Sequence, residues 1–133
     1  MPRLVYALLS GDLIVDRESG SVSFIRAVEH VQVRALPARL PALWLGSLWE
    51  LDGSGAFAVE LRLRTPSGAQ SVLGRQDVPA AQSRLHRLNF RLGGLDLTEE
   101  GRHALILALH GGDKPIKAAE LPLYVIKVAS GNA

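Results

Sequence analysis

A chain of 133 residues, 47% apolar and 21% charged, has the size and composition of one globular domain with a single core, and excludes a long disordered region. A formal net charge of +2 is too small to point to a polyanion by itself, and with no cysteine there is no disulfide and no thiolate chemistry. The apolar run Leu4–Leu9 meets Asp12 and Asp16 at once and is far shorter than the roughly 20 residues that span a bilayer, so the expectation is a soluble, cytoplasmic protein without a membrane partner.

In chain order, Leu4–Leu9 places apolar residues in both phases, the pattern of a strand buried on both sides. Ser10–Asp12 interrupts it, Leu13–Val15 resumes it, and Asp16–Gly20 (DRESG) reads as a turn. Val22–Val33 is β-branched but out of phase, Val22, Phe24 and Val28 against Ile25, Ala27, Val31 and Val33, which a bulge or bend near Arg26 reconciles. On that phase Glu29 points inward if its face is core. Leu36–Pro41 (LPARLP) has prolines at both 37 and 41 and is expected to be a crossing loop.

Leu43–Leu51 is the next strand, with Leu43, Leu45, Trp49 and Leu51 in one phase and Trp44 and Leu48 in the other. Asp52–Gly55 (DGSG) suggests a hairpin that pairs it with Phe57–Arg64. That strand alternates most cleanly of all, with Phe57, Val59, Leu61 and Leu63 against Ala58, Glu60, Arg62 and Arg64, and Thr65–Gly68 (TPSG) ends it in a tight reversal. Gln70–Val78 is a further strand, Ala80–Ser83 a short helical turn, and Leu85–Leu92 another half-exposed strand. Thr98–Gly101 turns into Arg102–Leu109, apolar on both faces. Gly111–Lys114 (GGDK) is a hairpin turn, and Ile116–Val128 closes the chain with Pro122 at an edge or a bulge.

About eight strands punctuated by Gly and Pro, with no long amphipathic helix, predict an all-β antiparallel β-sandwich. One domain is expected over residues 1–129, with a flexible tail at 130–133. The segments LVYALLSGDLIV, LPARLPALWLGSLWEL, FAVELRLRTPSG and LTEEGRHALILALHGG resemble an uncharacterised bacterial family of small β-sandwich domains. The resemblance implies an immunoglobulin-like or C2-like sandwich and carries over no catalytic residues. The Asp-rich loops that hold calcium in C2 domains are not present in this sequence.

The sequence offers no catalytic, cofactor-binding or metal-ligating set. Its four histidines, His30, His86, His103 and His110, lack ligand spacing, and His103 and His110 on one strand face opposite ways. Glu29 and His30 are adjacent and diverge on a strand. There is no G-x-S-x-G elbow and no phosphate loop. Arg62 and Arg64 share one outward face and Arg87 and Arg91 another; if both strands lie in one sheet, they form a basic stripe for a polyanion. No aromatic residue is interleaved to stack a base, which argues against nucleic acid. The strands that are apolar on both faces exceed what a two-layer sandwich hides, and point to a protein partner, foremost a second copy in a homodimer, with Trp44 or Trp49 as anchor. The reading is therefore a non-enzymatic interaction module, with anion binding as the alternative.

Overall fold

The computed structural model describes residues 1–40, 42–80 and 84–129, and these form eleven strands and no helix. The strands are β1 (Arg3–Val15), β2 (Val22–Ala27), β3 (His30–Val33), β4 (Ala38–Arg39), β5 (Leu43–Glu50), β6 (Phe57–Arg64), β7 (Gln70–Val78), β8 (Leu85–Leu92), β9 (Asp96–Leu97), β10 (Gly101–His110) and β11 (Ile116–Lys127). One sheet has the order β2-β1-β5-β8, the other β3-β11-β10-β6-β7, and β4 pairs with β9 in a small ribbon.

Two differences raise the count above eight. The out-of-phase run Val22–Val33 is two strands in different sheets, and the β4–β9 ribbon lies where only loops were expected. The change of phase comes where the sequence places it: Arg26 adopts φ 59° and the chain leaves the first sheet just after it. The next strand, β3, joins β11 in parallel, the one parallel pair among the described strands. Glu29 lies at this crossing with its side chain exposed, so the condition under which it would point inward, a core face, is not met. The prolines of Leu36–Pro41 frame the two-residue β4, with Pro41 itself outside the described residues. Also outside them are the tail at 130–133 and most of the helical turn expected over Ala80–Ser83.

The DGSG segment is not a hairpin. β5 pairs with β1 and β8, whereas β6 pairs with β10 and β7 in the other sheet, so Asp52–Gly55 carries the chain from sheet to sheet. The physical reason is the core face: Leu43, Leu45 and Trp49 on β5 and Phe57, Val59 and Leu61 on β6 are all buried, and they oppose one another across the core. Trp49 and Phe57 meet there with ring centroids 6.1 Å apart. The GGDK segment does make the expected hairpin, joining β10 to β11. Pro122 sits where β11 has β10 on one side and β3 has not yet begun, as befits a residue without an N–H.

The core joins both sheets through Leu9, Leu45, Leu88, Phe90, Val59, Leu61, Leu105, Leu107 and Leu123. Phe90 of the first sheet approaches Gly74 of the second, where a Cβ would lie 3.3 Å from its Cδ1. A short buried chain of hydrogen bonds ties β5 to β8: Trp49 Nε1 donates to Ser47 Oγ (3.0 Å), which donates to the Leu88 carbonyl (2.6 Å). The indole is thus polar-satisfied inside an apolar core.

Candidate functional site

The outer face of each sheet is the place to look for a site. The four arginines singled out from the sequence do not form one stripe. Arg62 and Arg64 are on β6, in the five-stranded sheet, while Arg87 and Arg91 are on β8, in the four-stranded sheet, and the outer faces of two packed sheets look away from each other.

On the five-stranded sheet, β10 runs through the middle with Ala104, Ile106 and Ala108 pointing outward, yet all three are buried. Register explains this. Ile106 lies between Arg62 on β6 and Glu120 on β11, Ala104 beside Arg64, and Ala108 beside Glu60 and Lys117. Long side chains from the flanking strands lay their stems over the apolar centre and keep their charged ends at the surface. Those ends are paired. Glu120 receives Arg64 Nη2 at 3.1 Å, Arg102 Nη1 at 3.0 Å and Lys117 Nζ at 3.4 Å. The hydrogen bond from Arg102, and then those of Lys117 and Arg64, hold the Glu120 carboxyl below its ordinary range, although desolvation pulls the other way.

A second carboxylate, Glu60, is buried beside Arg62 Nε, with His110 Nε2 3.8 Å away, too far for a hydrogen bond. Among the described residues the buried His110 Nε2 has no hydrogen-bond partner. Further out, Arg75 Nε stands 3.5 Å from Asp77 Oδ1. Positive and negative groups thus alternate across this face. The sequence signals Arg62 and Arg64 but not Arg102, Lys117 and Glu120, which join them only through the β6–β10–β11 register.

On the four-stranded sheet, β1 pairs with β5 as far as Ser10 and with β2 from Ser10 onward. Leu9 and Ser10 are both buried in succession, marking the place where β1 bends. Beyond it, the rest of β1 and β2 form a hairpin laid over the outer face of the sheet. Phe24 reaches across to Gly46 of β5, where a Cβ would lie 2.3 Å from Cε1 and 2.7 Å from Cζ, and Leu13 Cδ1 is 3.1 Å from the same point. The Tyr6 ring meets Phe24 edge-on at 5.9 Å. At the tip, Arg87 of β8 donates from Nη1 to the Gly20 carbonyl. A glycine within an apolar strand is what such a close approach requires.

These two coverings account for two of the strands that read as apolar on both faces. β10 is roofed by charged side chains and β5 by the hairpin, without any second subunit. β1 itself is not buried on both sides: Val5 and Tyr6 are exposed. Trp49 is fully buried and is no surface anchor, because its phase is that of the core, whereas Trp44 is half-buried on the outer face opposite Arg91. Leu48, Leu85, His86 and Arg87 line a shallow groove beside the hairpin tip.

Of the histidines, His103 is buried on the core side, with its Nδ1 3.2 Å from the Gly101 carbonyl, and His110 faces outward, as their odd spacing requires. His30 is exposed. No group of three or more His, Asp or Glu able to hold a metal occurs among the described residues, and among them there is no helix long and apolar enough to cross a membrane. Comparison with known protein families and with curated proteins finds nothing that matches this chain.

Proposed function

We propose that the protein is a cytoplasmic, non-enzymatic interaction module, an immunoglobulin-like or C2-like sandwich of the small bacterial type its sequence resembles, that works by self-association and by contact with a protein partner. One observation carries this reading. Of the eleven large apolar side chains exposed among the described residues, five (Val5, Tyr6, Ile14, Val15 and Ile25) lie on β1 and β2. A concentration of exposed apolar side chains on one hairpin and its base is what a protein-binding surface presents. Sedimentation across a dilution series tests it: a concentration-dependent dimer is expected, and a monomer persisting to hundreds of micromolar would refute self-association.

Anion binding has less support. Arg87 and Arg91 stand apart from Arg62 and Arg64, Arg87 is engaged at the Gly20 carbonyl, and the charge of Arg64 is shared with Arg102 and Lys117 over one carboxylate.

A further inference from the structure

Of the four edge strands of the two main sheets, three are blunted against pairing. β7 carries a bulge where Leu61 faces Gly74 and Arg62 faces Val72, and it bears Arg75 and Asp77. β8 has its Asn89 carbonyl capped by Gln76 Nε2 at 2.6 Å. β3 is four residues long. β2 differs. From Val22 to Ile25 its register with β1 runs unbroken, it has no proline and no lysine, and its only charge, Arg26, is near its C-terminal end.

The free side of β2 follows from its hydrogen bonding. Asp16 N–H donates to the Ser21 carbonyl (2.8 Å), and continuing that alternation along the regular stretch before Arg26 turns the backbone groups of Ser23 toward Ile14 and those of Ile25 toward Asp12, leaving those of Val22 and Phe24 outward. Phe24 is pinned over Gly46, so the strand is held in place with this edge presented.

We propose that β2 is the self-association edge: two copies pair through it, antiparallel about a twofold axis at Phe24, making one continuous sheet across the dimer. The proposal rests on the self-association reading above and names its surface. Phe24 of each copy then exchanges backbone hydrogen bonds with Phe24 of the other, and Ser23 of one copy lies directly opposite Ile25 of its partner as a non-hydrogen-bonded pair. This central pair needs neither Ser21, whose N–H is already given to Ser19 Oγ and whose carbonyl already accepts from Asp16, nor the backbone at Arg26, whose φ of 59° ends the regular edge.

A second copy fits this edge for two reasons. Arg26 lies opposite Val22 of the other copy, next to the Asp16–Gly20 turn, whose Asp16, Arg17 and Glu18 sum to a negative charge, and the twofold axis repeats this match. On the solvent side, Ile14 sits opposite Ser23 within each copy, so pairing brings Ile25 of one copy, 36% exposed, alongside Ser23 and Ile14 of the other, 49% exposed. The axis is isologous, as in most homodimers.

The absence of native cysteine makes a direct test available. Ser23→Cys and Ile25→Cys proteins are prepared separately and mixed under mild oxidation, beside wild-type sedimentation. Both positions are exposed, so folding is not at stake, and melting temperatures verify it. The expected result is a dimeric wild type and a disulfide-linked species far more abundant in the mixture than in either protein alone, because the register places Ser23 opposite Ile25. A dimeric wild type whose mixture crosslinks no more than a Ser54→Cys and Ser71→Cys pair would overturn the β2 edge while leaving self-association standing. A monomeric wild type would overturn both.

Discussion

Replacing Gly46 by alanine tests whether the hairpin is packed onto the sheet by its side chains. The added methyl would sit 2.3 Å from Phe24 Cε1 and 2.7 Å from Cζ, distances that real Cβ contacts do not reach, so the ring must leave. Over-filling a packed site costs about 1–3 kcal/mol, and losing the Tyr6–Phe24 edge contact falls within that range. Against it stands the roughly 0.5–1 kcal/mol by which alanine ordinarily improves on glycine inside a strand. The net expectation is a loss of about 1–2 kcal/mol, read as a lower urea midpoint at unchanged slope. Made in a Phe24→Ala background, the same change should be neutral or stabilising, since the obstructing ring is gone. Hydrogen exchange adds location: in Gly46→Ala, amides of β2 should lose protection while β6 and β10 keep theirs. Equal or greater stability of Gly46→Ala in the wild-type background would refute the packing described here.

Three further outcomes follow from other parts of the molecule. Trp49→Phe should cost about 1–3 kcal/mol, because it leaves Ser47 without one of its buried partners, while Trp44→Phe should change stability by less than about 1 kcal/mol; chemical denaturation compares them. Acrylamide should quench the fluorescence of a Trp49→Phe protein, which reports Trp44, more than that of Trp44→Phe. For Glu120, the folded pKa lies below its ordinary value near 4.5, so its stabilising contribution is complete above that pH and is lost as pH falls through the depressed folded value. Glu120→Gln should therefore unfold at lower urea than wild type near neutral pH, with the gap closing in strong acid; a gap independent of pH would remove the ion-pair account.

What could be read from the sequence was mostly local. Period-two alternation located β6 and β8, and the conformational needs of Thr65–Gly68 located the reversal, where Gly68 takes φ 96°. The clash of phases in Val22–Val33 even placed the bend at Arg26. What could not be read was which strand lies beside which. Asp52–Gly55 has the composition of a hairpin turn, yet turn chemistry does not state whether the chain returns to the same sheet or passes to the opposite one. The same gap separates Arg62 and Arg64 from Arg87 and Arg91, and hides Glu120 from the cations that reach it. The surplus of apolar residues was visible, but its covering depends on Arg and Glu stems and on Phe24, whose reach across β1 a one-dimensional pattern does not encode.

The parallel pair of β3 and β11 has a consequence in time. His30–Val33 pairs with Tyr124–Lys127, with residues 34–123 of the chain between them. During synthesis β1 and β2 can fold on each other as soon as they emerge, but β3 must wait for the last strand, with Val31 and Val33 uncovered meanwhile. Until β11 pairs with β3, that seam of the five-stranded sheet stays open. Closing that seam, a contact of very long sequence separation, is the step expected to limit the folding rate.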